Sequence, residues 1–408
     1  MGSEATASGS QATRHQKTST AKEVAERAGV SVTTVSRVLN GRAQAIPMET
    51  QARVRSAAQT LRYRPNSLAI ALRKGTTQTI GLIVPDISDS YFHQIARGVE
   101  DVAQAAGYLV IIANTDRIGD KEEASVNLLL DKRVDGIIFA GGGVDGDTRL
   151  NDRDWGKTRV VTIGPHQLPF PSVLVDDAAA IATAVHHLAD VACRRVLCLA
   201  GQPNWLVTQR RLVGYMTAVA ERGLAADVDL VAFGDFTQRS GEELTRTALE
   251  HNISFDGVVA FNDYSAIGAL QALAAAGLRV PENVAVVGCD DTPVSALVHP
   301  SLSSINFSQY EFGRVATQML LEPIVTPKEI ITFPNQLIQR NSTARRPHAG
   351  TSNEPVAERI AEAPLLEHHG SDLCLSTPHD GCGPPPVSTQ HLGTYRTCEL
   401  PATRSNEL

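Results

Sequence analysis

Val32, Thr33, Thr34, Ser36 and Arg37 crowd short hydroxyl and methyl groups and one guanidinium into six residues. Such groups read base edges in a DNA groove and hold backbone phosphates. A second set is spread over the later chain. Arg211, Asn262 and Asp290 offer a guanidinium, an amide and a carboxylate around strand-like apolar runs. Together they supply donors and acceptors, which suits the vicinal hydroxyls of a sugar. Aromatic residues make up only 5% of the chain, so Tyr91, Phe92, Trp205 and Phe236 at loop or strand-end positions stand out. Their flat faces can stack on a sugar ring or a base. The same residues also admit a structural reading, in which Asp290 caps a helix with Arg211 as its partner and the aromatics are core.

The elements that must position these groups follow from local pattern. Thr20 and Glu23 have capping-box spacing, and Val24, Ala25 and Ala28 share one helical face. Gly29 supplies the turn, Ser31 caps a second short helix, and Val35, Val38 and Leu39 form its buried stripe. The outcome is a helix-turn-helix. A third helix begins at Pro47, which suits the first helical position, and runs through Val54, Ala57, Ala58 and Leu61. Tyr63-Arg-Pro-Asn66 ends it, and Ser67–Gly75 makes one or two further helical turns, too short to fold alone. From Thr79 onward strands alternate with helices in two successive runs, for example Ile80–Pro85, Tyr91–Ala106 and Tyr108–Ala113, then Arg195–Ala200, Thr208–Arg222 and Val284–Val287. That pattern predicts two doubly wound parallel sheets with a ligand cleft at the carboxyl ends of their strands.

Charge divides the chain. Residues 1–78 hold 12 Lys+Arg against 4 Asp+Glu, leaving 25 against 40 for the rest of a 408-residue chain of net charge -7. A basic module on an acidic body fits contact with a polyanion through one end. No apolar run reaches the ~18 residues of a membrane helix, and Met1–Gln16 lacks a secretory segment, so a cytoplasmic protein is expected. Cys193, Cys198 and Cys289 sit in strand-like contexts as buried thiols. No catalytic set and no cofactor or metal site is read. Gly141-Gly-Gly143 lacks the Gly-Lys-Ser/Thr of a phosphate loop, His186 and His187 are helix neighbours that do not face each other, and the tail's His and Cys residues match no compact zinc site.

With these motifs in place, the chain resembles the LacI/GalR family of bacterial transcription regulators over about residues 19–344. The likeness is carried by Val24-Ala-Glu-Arg-Ala-Gly-Val-Ser31, Thr34-Val-Ser-Arg-Val-Leu-Asn40, Tyr63-Arg-Pro-Asn66, Arg133-Val-Asp-Gly-Ile137 and Val287-Gly-Cys-Asp-Asp291. The resemblance implies a multi-domain protein: an all-α helix-turn-helix headpiece plus an α/β two-lobed, periplasmic-binding-protein-like sensor. It implies a homodimeric regulator, a repressor by expectation, on a pseudo-palindromic operator, switched by a small molecule in the sensor cleft. The DNA-binding set becomes Thr20, Ser31, Val32, Thr33, Thr34, Ser36, Arg37, Asn40, Tyr63 and Asn66, with Leu72 at the family's minor-groove wedge position. The effector set becomes Tyr91, Phe92, Trp205, Arg211, Phe236, Asn262 and Asp290.

There are departures. Pro47 stands where relatives cap the third helix with Ser, and Gly164-Pro-His166 stands where sugar-binding relatives often have Asp, with His166 a candidate replacement. The expected layout is an arm at 1–18, a headpiece at 19–66, a hinge at 67–75, a sensor at 76–344 and a disordered tail at 345–408. Within the sensor, the first lobe takes about 79–175 and 306–325, and the second takes 176–305 and 326–344. The tail lacks leucine heptads, so a dimer rather than a tetramer is expected. The Asn262-Asp263 pair favours a sugar or nucleoside effector. Alternatives are a purine- or protein-corepressed regulator, a solute-binding module, or an enzyme on the two-lobed body. Whether the ligand induces or corepresses stays open.

Overall fold

The computed structural model describes residues 19–65, 75–141, 149–150, 153–322 and 329–344, and the backbone of 395–397. The chain forms two compact units that part after Thr77. The first contains three helices: α1 (Ala21–Ala28), α2 (Val32–Leu39) and α3 (Met48–Thr60). Their apolar faces meet in one small core of Val24, Ala25, Ala28, Val35, Val38, Val54, Ala57 and Ala58. Buried Gln51 ties the α2–α3 loop to that core, donating to the carbonyls of Ala43 and Ile46. Pro47 is the residue before α3 rather than its first turn, and no side chain caps that end.

The second unit has two sheets. β1 (Thr79–Val84), β2 (Leu109–Asn114), β3 (Gly136–Ala140), β4 (Arg159–Ile163), β5 (Ser172–Val175), β11 (Ile330–Phe333) and β13 (Tyr395–Thr397) form one sheet, ordered β13-β11-β5-β4-β3-β1-β2. β6 (Val196–Ala200), β7 (Val231–Phe233), β8 (Gly257–Ala260), β9 (Ala285–Asp290), β10 (Ser303–Asn306) and β12 (Gln336–Ile338) form the other, ordered β12-β10-β9-β8-β6-β7. All pairings are parallel except β10 with β12. Helices α4 (Ser90–Ala105), α5 (Gly119–Asp131) and α10 (Gln309–Leu321) belong to the first lobe. Helices α6 (Asp177–Asp190), α7 (Leu206–Arg222), α8 (Gln238–Glu250) and α9 (Asp263–Ala275) belong to the second. The α4–α10 contact depends on glycine: a Cβ at Gly98 would lie 2.0 Å from the Tyr310 carbonyl, and one at Gly313 would lie 2.1 Å from that of Ile95.

Two boundaries differ from the sequence reading. Residues 326–344 were expected in the second lobe, but Ile330–Phe333 pairs in register with Ser172–Val175 of the first. The reason is packing: Phe333 is buried with its ring 5.1 Å from that of Phe312 on α10, and only from Gln336 does the chain join the second sheet. In the expected tail, Tyr395–Thr397 adds an edge strand to β11. The expected arm, Asn66, Leu72 and the remaining tail lie outside the described residues. Cys193, Cys198 and Cys289 are buried thiols outside any disulfide, as read.

Candidate functional sites: a helical DNA face and a strand-end cleft

The headpiece face is built by its caps. The Thr20 hydroxyl accepts from the Glu23 N–H, and the Glu23 carboxylate accepts from the Thr20 N–H at 2.8 Å, closing the capping box. Gly29 then turns the chain with φ 61, a left-handed conformation that costs glycine no Cβ clash. Ser31 caps α2 by accepting from the Thr34 N–H at 3.1 Å. With Val35 and Val38 buried, Ser31, Val32, Thr33 and Arg37 are left exposed, and Val32 keeps 46% of its surface. The other members are less free. The Thr34 hydroxyl sits 2.9 Å from that of Ser31, Asn40 donates to the Ser36 carbonyl at 2.7 Å, and Tyr63 packs on the headpiece core. The open face at the start of α2 is therefore narrower than the sequence set.

In the second unit, the carboxyl ends of both sheets converge on a cavity of about 550 Å³, open mouth included. The segments after β1, β2, β3, β4 and β5 supply Asp89, Tyr91, Phe92, Arg117, Gly141, Gly164 and Asp177. Those after β6, β7 and β8 supply Val207, Arg211, Phe236 and Asn262, and Asp290 ends β9 itself. This follows the rule that open α/β sheets bind ligands beyond their strand ends. Six of the seven expected residues line the cavity. Trp205 does not; its ring packs against that of Phe236, with centroids 5.2 Å apart.

Arg211 anchors the floor. Its Nε donates to Asp177 at 2.9 Å, its Nη1 donates to the Phe261 carbonyl, and its Nη2 lies 3.9 Å from Asp290. The structural alternative, in which Arg211 pairs with Asp290, is met at 3.9 Å, and Asp177 at 2.9 Å is the closer partner. Burial pushes the Asp177 and Asp290 carboxyls up, and the Arg211 charge pulls each back toward ionisation. Asp290 leaves its strand at φ 116, and Phe236 and Arg117 also have positive φ, at 69 and 55. Strain of this kind in non-glycine residues persists where surrounding contacts hold it, and it gathers at ligand sites. Asn262 is half committed: its Oδ1 caps α9 by accepting from the Ser265 N–H at 3.0 Å, and its Nδ2 donates to the Phe236 carbonyl at 2.7 Å. It thereby fixes the Phe236 wall. His166 does not replace the missing Asp; its ring packs on Phe139 at 5.4 Å and its Nδ1 accepts from the Leu168 N–H.

Sequence reasoning missed Asp89, Arg117 and Asp177. Each follows a strand by a few residues, a signal present in the chain but not applied to charged residues in the first lobe. Behind the cavity, Asp263 accepts from the Thr292 N–H and from the hydroxyls of Thr292, Ser295 and Ser304 at 2.5–2.9 Å. Burial outweighs those four donors and pushes its pKa up to about 6. Among the described residues no group of His, Cys, Asp and Glu is arranged to hold a metal ion, and no helix is long and apolar enough to cross a membrane.

A helix-turn-helix headpiece joined to a two-lobed, strand-end binding module defines the class of ligand-responsive DNA-binding regulators. Residues 77–346 match the model for periplasmic binding proteins and the sugar binding domain of the LacI family, and residues 20–66 match that for bacterial regulatory proteins of the lacI family. The chain is 32% identical over 329 residues to catabolite control protein A of Priestia megaterium, covering 79% of this chain and 98% of that one. It superimposes on the lac repressor dimer bound to operator and the anti-inducer ONPF with a TM-score of 0.72 and 26% identity, covering 80% and 99% of the two chains. Against a CelR–cellobiose complex the TM-score is 0.60 with 29% identity, covering 79% and 99%. The chain belongs to the LacI family of bacterial transcription regulators.

Proposed function

We propose that this protein is an operator-binding repressor, acting as a homodimer in the cytoplasm and switched by a sugar or nucleoside in the strand-end cleft. The observation that carries the reading is the capped, exposed start of α2 on a basic headpiece, in one chain with a polar and aromatic cavity. Val32 and Thr33 are the base-reading candidates, and Arg37, one turn on, holds DNA alongside them. The lac repressor neighbour was solved as a dimer on operator, and the CelR neighbour with cellobiose. A dimer also accounts for the apolar edge of the first sheet: Leu109 and Ile112 on β2 and Leu128 on α5 are 66%, 46% and 59% exposed. Among the described residues the cleft pairs no nucleophile with a general base, which supports binding over turnover.

Selection of the full chain against a random duplex library tests the reading. Enrichment of an inverted repeat, with at least tenfold weaker binding by Arg37→Ala, is expected. Failure to enrich any sequence, or unchanged binding by Arg37→Ala, would overturn it.

A further inference from the structure

Among the described residues, Arg117 enters the cleft without a carboxylate in ion-pair contact. It follows β2 by three residues, and its guanidinium carbon lies 4.4 Å from the Trp205 ring centre, 5.6 Å from Phe236 and 6.0 Å from Phe92. Phe92 comes from its own lobe; Trp205 and Phe236 come from the other. One Nη1 donates to the Gly141 carbonyl at 2.9 Å. A guanidinium carries five N–H donors, and Arg117 makes no ion pair among the described residues, whereas Arg211 has Asp177 at 2.9 Å. Aromatic faces favour a cation but give its N–H groups no acceptor. Burial is felt in full: it lowers the Arg117 pKa to about 10, against the pull of Asp89, which stands near without touching.

We propose that Arg117 makes the cleft selective for a sugar acid, a hydroxylated ligand of monosaccharide size whose carboxylate is bound by the Arg117 guanidinium. The proposal rests on the cleft being the effector site. A neutral sugar would leave a desolvated guanidinium with most of its N–H donors out of contact with any carboxylate, which is costly. A planar carboxylate answers it with two parallel N–H···O bonds, the geometry a guanidinium fits best. The ring then lies against Phe92 or Phe236, and its hydroxyls meet Arg211 and Asp290. A phosphate ester offers the same acceptors but carries nearly two negative charges. It would enter a cavity already lined by Asp89, Asp177 and Asp290, with Arg211 hydrogen-bonded to Asp177 and 3.9 Å from Asp290. The acidic lining therefore favours the singly charged carboxylate.

Isothermal titration of the full chain with matched sets tests this: D-glucose, D-galactose and D-ribose, each beside its aldonate, its uronate where one exists, and its phosphate ester. At least one carboxylate should bind tenfold or more tighter than its neutral parent. Arg117→Gln should bring it down to the parent's level, and Arg117→Lys, which keeps the charge without the planar fork, should fall between. Equal binding of acid and parent, tightest binding by a phosphate, or an unaffected Arg117→Gln would overturn the proposal. If neutral sugars bind and acids do not, the cleft reading stands and the Arg117 assignment falls. If nothing in the panel binds, both fall.

Discussion

Replacing Arg211 with Met separates what that residue does for the fold from what it does for a ligand. The Arg211 side chain is 6% exposed and its partners Asp177 and Asp290 are 2% and 7% exposed, so the cluster is effectively out of water. Arg211→Met leaves two buried carboxyls without their cation and the Phe261 carbonyl without its donor. Removing one partner of a buried pair costs about 3–5 kcal/mol. At about 2–4 °C per kcal/mol for a unit of this size, the sensor's melting temperature should fall by about 6–20 °C. The loss should depend on pH. With its cation gone, the Asp177 carboxyl rises further above its unfolded value. Folding then takes up a proton, and stability falls as pH climbs from the unfolded value through the folded one. The deficit should therefore be small near pH 4 and largest at neutral pH. Pairing Arg211→Met with Asp177→Leu removes one of the two stranded carboxyls and should restore part of the stability. It should not restore any ligand-dependent rise in melting temperature, since a ligand must bind the folded state to stabilise it. Differential scanning calorimetry of the single and double variants across pH reads all of this. A deficit below about 1 kcal/mol that is flat with pH would refute the buried-cluster account. A double variant with full ligand response would refute the binding role.

Asp263 gives a second pH signature: with a folded pKa of about 6 against an ordinary 3.8, sensor stability should drop by about 2 kcal/mol as pH rises from 4 to 6. Urea unfolding should show that slope in the parent and lack it in Asp263→Asn, which should also be less stable overall because its NH₂ replaces one of two oxygens that both accept hydrogen bonds. At Gly201, a Cβ would lie 2.5 Å from the Phe236 ring and 2.6 Å from the Thr208 hydroxyl. Gly201→Ala should displace the Phe236 wall and weaken cleft ligands at least tenfold in titration, while operator binding in a gel-shift assay is unchanged. Thr20→Ala breaks the capping box and should cost the headpiece about 1 kcal/mol in thermal melts followed by circular dichroism.

The sequence made some links legible because the physics there is local. The Thr20–Glu23 box, the Gly29 turn and the Ser31 cap each involve residues within a few positions, so spacing alone predicts them. The two sheets were legible for a related reason: parallel strands buried on both faces read as apolar runs, and helices between them force doubly wound order. What escaped was long range. Ile330–Phe333 looks like any short apolar strand, and only its pairing with Ser172–Val175 assigns it to the first lobe. Asn262 reads as a ligand contact by type, but its cap on α9 and its bond to the Phe236 carbonyl show that it also holds another residue in place.

Arg117 and Asp177 show where the same logic could have gone further. The rule that ligands sit beyond strand ends was applied to the second lobe, where it picked out Asn262 and Asp290. Applied evenly to the first lobe, it would have selected Asp89 after β1, Arg117 after β2 and Asp177 after β5 from residue order alone. Their pairing could not have been read that way. Residues 177 and 211 are brought to 2.9 Å by the packing of α6 on α7, while residue 117 is left among aromatics from both lobes. Two arginines of identical chemistry thus divide by environment: Arg211 is paired with carboxylates and holds the floor, and Arg117 lies among rings without an ion pair among the described residues.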